Sequence, residues 1–170
     1  IKLDSKGPVF FKQTRVGKHE KNFEILKFRS MSVPTSAQTA GLLITVGQDA
    51  RVTKSGAFIR KTKLDELPQL INVLLGTMSI VGPRPEVPKY IACYTPEQKQ
   101  SVLSVRPGIT DNASIAFRDE NEILGKAQDP EKAYIEEVLP IKIAHYMEYV
   151  KHNSFQQDLK IIFKTIQILF

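Results

Sequence analysis

The chain has 170 residues, 42% of them hydrophobic and 25% charged, a composition that builds a folded core and excludes a disordered or fibrous chain. Its 24 Lys+Arg against 18 Asp+Glu leave a net charge of +6, which favours anionic partners (nucleotides, phospholipid headgroups or nucleic acid) without choosing among them. The single cysteine, Cys93, excludes an intramolecular disulfide, speaks against a cysteine zinc site and fits a cytosolic face.

No run approaches the ~18 consecutive apolar residues of a spanning helix, and no signal peptide is visible. The chain opens Ile1-Lys2-Leu3-Asp4 without an initiator Met. We read this as a start inside a longer protein. Two short strands are expected over 8–11 and 23–28, around a polar turn that contains Gly17 and Asn22. Residues 32–52, rich in Ser, Thr, Ala, Gln and Gly, read as a mobile loop. A short helix over 53–61 should carry Phe58 and Ile59 inward.

Leu67, Leu70, Ile71 and Leu74 then fall at i, i+3, i+4 and i+7, with Pro68 suited to a first turn and Gly76 to the stop. Asp65 and Glu66 stand just before that helix, where free N–H groups favour negative charge. Residues 77–81 form a short apolar run ending in Gly82-Pro83-Arg84-Pro85. Thr95-Pro96-Glu97-Gln98 spells a capping box, for a helix expected to reach about Val105. Arg106-Pro107-Gly108-Ile109-Thr110 reads as a loop, and Asp119-Glu120-Asn121-Glu122 as a solvated acidic loop or helix start.

Asp129-Pro130 opens a long helix through Ile135, Val138, Leu139, Ile143 and Tyr146, broken or kinked at Pro140. The last helix, over 155–170, carries Leu159, Ile162, Phe163, Ile166, Leu169 and Phe170 in one stripe away from Lys160 and Lys164. That stripe fits either a helix packed on the core or one lying in a membrane surface. No repeat or linker divides the chain, so 1–170 reads as a single domain. The expected class is α+β: a compact, mainly helical domain with a short β-hairpin near its N-terminus and amphipathic helices suited to a membrane surface.

Dinucleotide, P-loop and nucleophile-elbow motifs are absent, no Asp-x-Asp occurs, and His19, His145 and His152 are scattered. What remains is Arg60-Lys61-Thr62-Lys63-Leu64-Asp65-Glu66-Leu67-Pro68. Two adjacent carboxylates among cations suit a hard cation with phosphate oxygens, and Arg60 could bind phosphate and depress a neighbouring carboxylate's pKa. The same acids could equally do no more than stabilise a helix entrance. Arg84, on backbone stiffened by Pro83 and Pro85, could clamp phosphate with little loss of entropy, or be a solvated turn residue.

The run from Lys61-Thr62-Lys63-Leu64-Asp65-Glu66-Leu67-Pro68-Gln69-Leu70-Ile71-Asn72 to Val81-Gly82-Pro83-Arg84-Pro85-Glu86 strongly resembles the core of the bacterial sugar transferases, the monotopic phosphoglycosyl transferases. Gly7-Pro8-Val9-Phe10-Phe11-Lys12-Gln13-Thr14-Arg15-Val16-Gly17, Lys27-Phe28-Arg29-Ser30-Met31, Arg106-Pro107-Gly108-Ile109-Thr110 and Asp158-Leu159-Lys160 resemble it too. One departure is Asp111-Asn112, where the family usually continues with Gly.

The resemblance implies a reaction: transfer of sugar-1-phosphate from a UDP-sugar to polyprenyl (undecaprenyl) phosphate, releasing UMP and initiating a bacterial glycan. It also implies a Mg²⁺-dependent, covalent ping-pong route. Asp65 would be the nucleophile, Asp65 and Glu66 would hold Mg²⁺, and Arg60 and Arg84 would bind phosphate. A hydrophobic re-entrant helix would precede Ile1, and the protein would sit with membrane lipids on the cytoplasmic face of the inner membrane. The rival reading is a non-catalytic basic module on anionic membrane. Nucleic-acid binding is not expected, because the cations are dispersed and aromatic residues do not alternate with them.

Overall fold

The computed structural model describes residues 1–33 and 49–169, with Leu169 described in its backbone only. Most of the stretch read as a mobile loop, 34–48, and the Phe170 end of the last stripe lie outside the described residues. The architecture is α+β and mainly helical, with the hairpin at the N-terminal end.

Strands β1 (Phe10–Val16) and β2 (Asn22–Phe28) pair antiparallel, Phe10 opposite Phe28 and Val16 opposite Asn22. The first strand therefore runs well past the apolar 8–11 stretch. Lys12, Gln13, Thr14 and Arg15 alternate half-buried and exposed, so ladder pairing with β2 sets its length rather than hydrophobicity. The Phe10 and Phe28 rings stack with centroids 5.6 Å apart.

Helix α1 (Lys54–Lys61) starts at Thr53, whose hydroxyl accepts from the Gly56 N–H at 3.0 Å. Gly56 is its buried contact: a Cβ there would lie 1.9 Å from the Ser30 carbonyl oxygen. With Gly56 inside, Phe58 comes round to the far side and is 63% exposed, while Ile59 is half-buried. The expectation that both point inward is corrected by that close approach.

Helix α2 (Gln69–Leu74) ends at Leu75, followed by Gly76 at φ +77, as the stop signal foretold. Its amphipathicity is inverted. Leu67, Leu70, Ile71 and Leu74 are 49%, 44%, 42% and 87% exposed, whereas Gln69 is 0% and Asn72 3% exposed. Asn72 is the anchor: its Oδ1 accepts from the Leu26 N–H at 3.0 Å and its Nδ2 donates to the Glu24 carbonyl at 2.9 Å. The helix thus docks on β2 by satisfying main-chain groups, not by burying its leucines. We expect Asn72→Ala to lose about 2–4 kcal/mol, since two main-chain groups are left without partners. Ile71→Ser should stay within about 0.5 kcal/mol of wild type. Urea unfolding checks both, and the reverse order would restore the conventional orientation.

Strands β3 (Ser79–Val81) and β4 (Gly108–Thr110) pair in parallel, so the expected 106–110 loop is strand at its end. Gly82 and Gly108 make the approach possible: a Cβ on Gly108 would lie 2.1 Å from the Gly82 nitrogen. Helix α3 (Pro88–Ile91) leads to α4 (Pro96–Val102), which has the expected capping box. It stops short of Val105, where the Leu103 carbonyl accepts from His19 of the hairpin turn at 2.7 Å.

Helices α5 (Asn112–Ala116), α6 (Glu120–Gly125) and α7 (Pro130–Ala133) follow. Asp111 caps α5, accepting from the Ala113 and Ser114 N–H groups at 2.6 and 3.0 Å, in an extended conformation that needs no glycine. A π-turn, Tyr134–Val138, joins α7 to α8 (Leu139–His152), placing the expected break just ahead of Pro140. The core gathers Val87, Ile91, Val102, Leu139, Ile143 and Tyr146 between α3, α4 and α8.

Helix α9 (Phe155–Leu169) packs through Ile161, 2% exposed, and through polar contacts. Tyr149 donates to Asp158 at 2.8 Å, and the Thr110 and Thr165 hydroxyls meet at 2.7 Å. Leu159, Phe163 and Ile166 are 50%, 62% and 50% exposed. Ile162 of the stripe packs partly against Val81, Tyr149 and Ile161, so the stripe is only partly the packed face.

Candidate active site

The acidic pair sits on a 3-10 turn, Leu64–Glu66, between α1 and α2. Lys63 enters it in the left-handed region at φ 56, a strained choice for a residue with a Cβ. Its N–H donates to the Arg60 carbonyl at 3.1 Å and its carbonyl accepts from the Glu66 N–H at 3.2 Å. These contacts aim Asp65 and Glu66 into one cavity of about 1290 Å³. Arg60 and Arg84 line the same cavity, so all four residues singled out from the sequence meet there.

The two carboxylates differ sharply. Glu66 Oε1 receives Lys27 Nζ at 2.7 Å and Arg84 Nη2 at 2.5 Å, with Arg84 Nη1 3.3 Å from Oε2. Burial would raise the Glu66 carboxyl, but Arg84 and Lys27 outweigh it and hold it well below the usual range. Asp65 is 8% exposed, and its buried Oδ1 has no hydrogen-bond partner among the described residues. Burial pushes its pKa up, against the pull of Lys27, Arg60 and Lys63. Arg60 does act in the expected direction. Desolvation overrides it, and among the described residues no donor bonds the carboxylate to offset that.

Arg84 is not a solvated turn residue. Arg15 Nη1 donates to the Pro85 carbonyl at 2.8 Å and the Val16 N–H to the Glu86 carbonyl at 3.0 Å, so β1 pins the segment that carries Arg84. Arg60 is freer: its Nη1 lies 3.5 Å from Ser30 Oγ, and it makes no ion pair with any described residue.

A second charged cluster lines the cavity and was not foreseen. Glu86, 4% exposed, accepts from the Tyr134 hydroxyl at 2.8 Å, with Lys142 Nζ at 3.6 Å and Arg15 Nη1 at 3.9 Å. Lys142, 3% exposed, also donates to Glu120 at 2.9 Å and Tyr134 at 3.2 Å. One signal in the chain pointed there: Lys142 falls at i+3 from Leu139 and i−4 from Tyr146, inside an apolar stripe. Lys27 carried no comparable signal. It meets Glu66 across 39 positions of sequence.

Comparison with known proteins identifies the family. A family model described as bacterial sugar transferase matches residues 1–170. A UDP-N-acetylgalactosamine-undecaprenyl-phosphate N-acetylgalactosaminephosphotransferase of Aeromonas hydrophila is 40% identical over 99% of this chain and 37% of its own length. A UDP-glucose:undecaprenyl-phosphate glucose-1-phosphate transferase of Escherichia coli K12 is 40% identical over 98% of this chain, again only 33% of the relative. An exopolysaccharide production protein of Rhizobium leguminosarum bv. phaseoli is 41% identical over 98% of this chain and 80% of its length. The chain thus spans about a third of two of these relatives and four-fifths of the third.

Proposed function

The chain belongs to the bacterial sugar transferase family, and from that premise we propose that it is the catalytic domain that moves a sugar-1-phosphate from a UDP-sugar to a polyprenyl phosphate. The observation that carries this reading is Asp65: a buried carboxylate whose Oδ1 has no hydrogen-bond donor among the described residues, facing a cavity lined by Arg60, Lys27 and Arg84. A carboxylate free of ion pairs is a better nucleophile than one held in them.

In the first step an Asp65 oxygen forms a bond to the β-phosphorus and the bond from that phosphorus to UMP breaks, UMP keeping the electron pair. In the second, a phosphate oxygen of the lipid attacks the same phosphorus and Asp65 leaves as a free carboxylate. Arg84 and Arg60 bind the phosphate oxygens and Lys27 adds positive charge beside them. Glu66 keeps Arg84 and Lys27 in place.

Mg²⁺ fits this set. Asp65 Oδ1 has no partner and Glu66 Oε2 has only its 3.3 Å contact, so each can present an oxygen, with phosphate oxygens and water completing the shell. Bound there, Mg²⁺ supplies charge neutralisation for the diphosphate and the leaving UMP.

The exposed Leu67, Leu70, Ile71, Leu74 and Leu75, with Phe155, Leu159, Phe163 and Ile166 of α9, support docking at a membrane surface. Among the described residues no helix is long and apolar enough to cross a membrane. We place the domain on the cytoplasmic face, where nucleotide sugars and the lipid phosphate meet.

The test is a panel of UDP-sugars with polyprenyl phosphate and Mg²⁺, scored for UMP release. Release with at least one donor, abolished by chelation, is expected. No release with any donor, alongside liposome binding, would favour the non-catalytic membrane module. Arg84→Lys should lower turnover about 10–100-fold, because an ammonium cannot keep both the fork on Glu66 and a phosphate contact. Wild-type rates in that variant would remove Arg84 from the site.

A further inference from the structure

Helices α1 and α2 end in the same way with different residues. After α2, Gly76 takes the left-handed conformation at φ +77, and its N–H donates to the Val73 carbonyl at 2.9 Å. Nothing lies within 4 Å of the place a Cβ would take there. After α1 the corresponding residue is Lys63, at φ 56 and ψ 14, whose N–H donates to the Arg60 carbonyl at 3.1 Å. Glycine fills such a position at no steric cost, whereas a residue with a Cβ is disfavoured. The turn by itself calls for glycine, and a lysine stands there against it.

The fold makes no use of the Lys63 side chain. The residue is exposed, and among the described residues its ammonium forms no ion pair or hydrogen bond. The negative end of α1 already has Arg60 and Lys61 in its last turn. Yet Lys63 lines the cavity, two residues before Asp65. Neighbouring cations of the cavity are engaged: Lys27 and Arg84 hold Glu66, and Arg15 bonds the Pro85 carbonyl. Exposed and lining the cavity at once, Lys63 stands at its open edge, where a water-soluble nucleotide enters and leaves. A backbone penalty borne at the edge of a site, by a side chain with no structural partner, points to a ligand.

We infer that Lys63 binds phosphate of the nucleotide: its ammonium meets the UMP-side phosphate of the donor and stays with that phosphate as it departs. The inference rests on the function proposed above and adds a residue to it. Charge balance selects this phosphate. When the bond to the β-phosphorus breaks, UMP keeps the electron pair, so its phosphate gains one unit of negative charge. A cation whose contact strengthens as that charge grows lowers the barrier. The acceptor's phosphate loses charge as it attacks, so the same cation offers it no such gain. Lysine suits the role, because a compact charge on a flexible stem can follow a departing group, where a guanidinium fork fixes one geometry.

The experiment uses the full-length protein in detergent micelles with Mg²⁺ and compares Lys63→Gly with Lys63→Arg. It reads UMP affinity by calorimetry, adduct formation with donor alone, and transfer from the isolated adduct to farnesyl phosphate. Lys63→Gly should raise the dissociation constant of UMP about 5–10-fold and slow adduct formation by a similar factor, both effects shrinking in about 0.5 M salt. Transfer from the adduct should stay within about twofold of wild type, and the thermal midpoint at or above it. Lys63→Arg keeps both the charge and the backbone penalty, and should recover UMP affinity to within about threefold.

Unchanged UMP affinity in Lys63→Gly overturns the inference. So does an equal loss in Lys63→Arg, an equal slowing of transfer from the adduct, or a thermal midpoint lowered by Lys63→Gly. Liposome binding lost in Lys63→Gly with UMP affinity intact assigns the ammonium to lipid headgroups and overturns it too. If no donor yields UMP release, yet UMP binds and Lys63→Gly weakens it, the transfer reading fails and the nucleotide site stands. A wild type that binds no UMP overturns both.

Discussion

Asp65→Asn abolishes sugar-phosphate transfer, by about ten-thousand-fold or more, and leaves the protein folded. The loss follows from removing the attacking oxygen's charge at nearly constant shape. The fold survives because, among the described residues, Asp65 accepts no hydrogen bond that the amide would break. Stability at neutral pH should be equal to or above wild type. The sign follows from the raised pKa: the folded state disfavours the ionised carboxyl, so that penalty acts above the unfolded pKa and vanishes as pH falls below it. Asparagine therefore gains stability at pH 7 and loses the gain in acid.

In the metal-free protein the Asp65 carboxyl should titrate above the ordinary aspartate range, because burial disfavours its charged form, and carboxyl-carbon NMR checks this. Intact mass measured after exposure to donor alone should show a sugar-phosphate adduct in the wild type and none in Asp65→Asn. Turnover at wild-type rates in the variant removes Asp65 from the covalent role. A lowered unfolding midpoint at pH 7 would mean that the carboxylate has a structural partner.

The second large effect is on stability. Lys142→Ala should lose about 3–5 kcal/mol, because it strands the buried Glu86 carboxylate with only Tyr134 and the more distant Arg15. Lys142→Met keeps most of the stem and should lose nearly as much, since the missing quantity is charge and not volume. Glu120→Gln, at the more exposed end of the network, should lose less than about 1.5 kcal/mol. Denaturant midpoints order the three. A Met variant as stable as wild type would show that desolvating this network outweighs its internal attraction.

These predictions rest on different kinds of legibility. The helix starts at Thr53, Thr95 and Asp129 could be read directly, because a cap is made with N–H groups two or three residues away. So could the stop at Gly76 and an interruption near Pro140, which the structure places one turn earlier as a π-turn. The site residues Arg60, Asp65, Glu66 and Arg84 were also visible as a dense pattern of charge beside stiff backbone.

Tertiary structure alone decided which face each helix buries and what each charge meets. Helix α2 has a textual apolar stripe, yet Asn72 is inside, because β2 offers unpaired main-chain groups that only an amide can satisfy. The stripe of α9 is half exposed because β3 and β4 take up Ile161 and hydroxyl contacts instead. Asp65 and Glu66 are neighbours in sequence and opposites in state. Lys27, 39 positions away, and Arg84, 18 away, reach Glu66 and miss Asp65. Periodicity and capping act over one or two turns, so the sequence determined the capped helix starts and which residues carry charge. Burial and ion pairing depend on the three-dimensional distance between groups remote along the chain, so only the folded structure decided which carboxylate is held and which is left free to react.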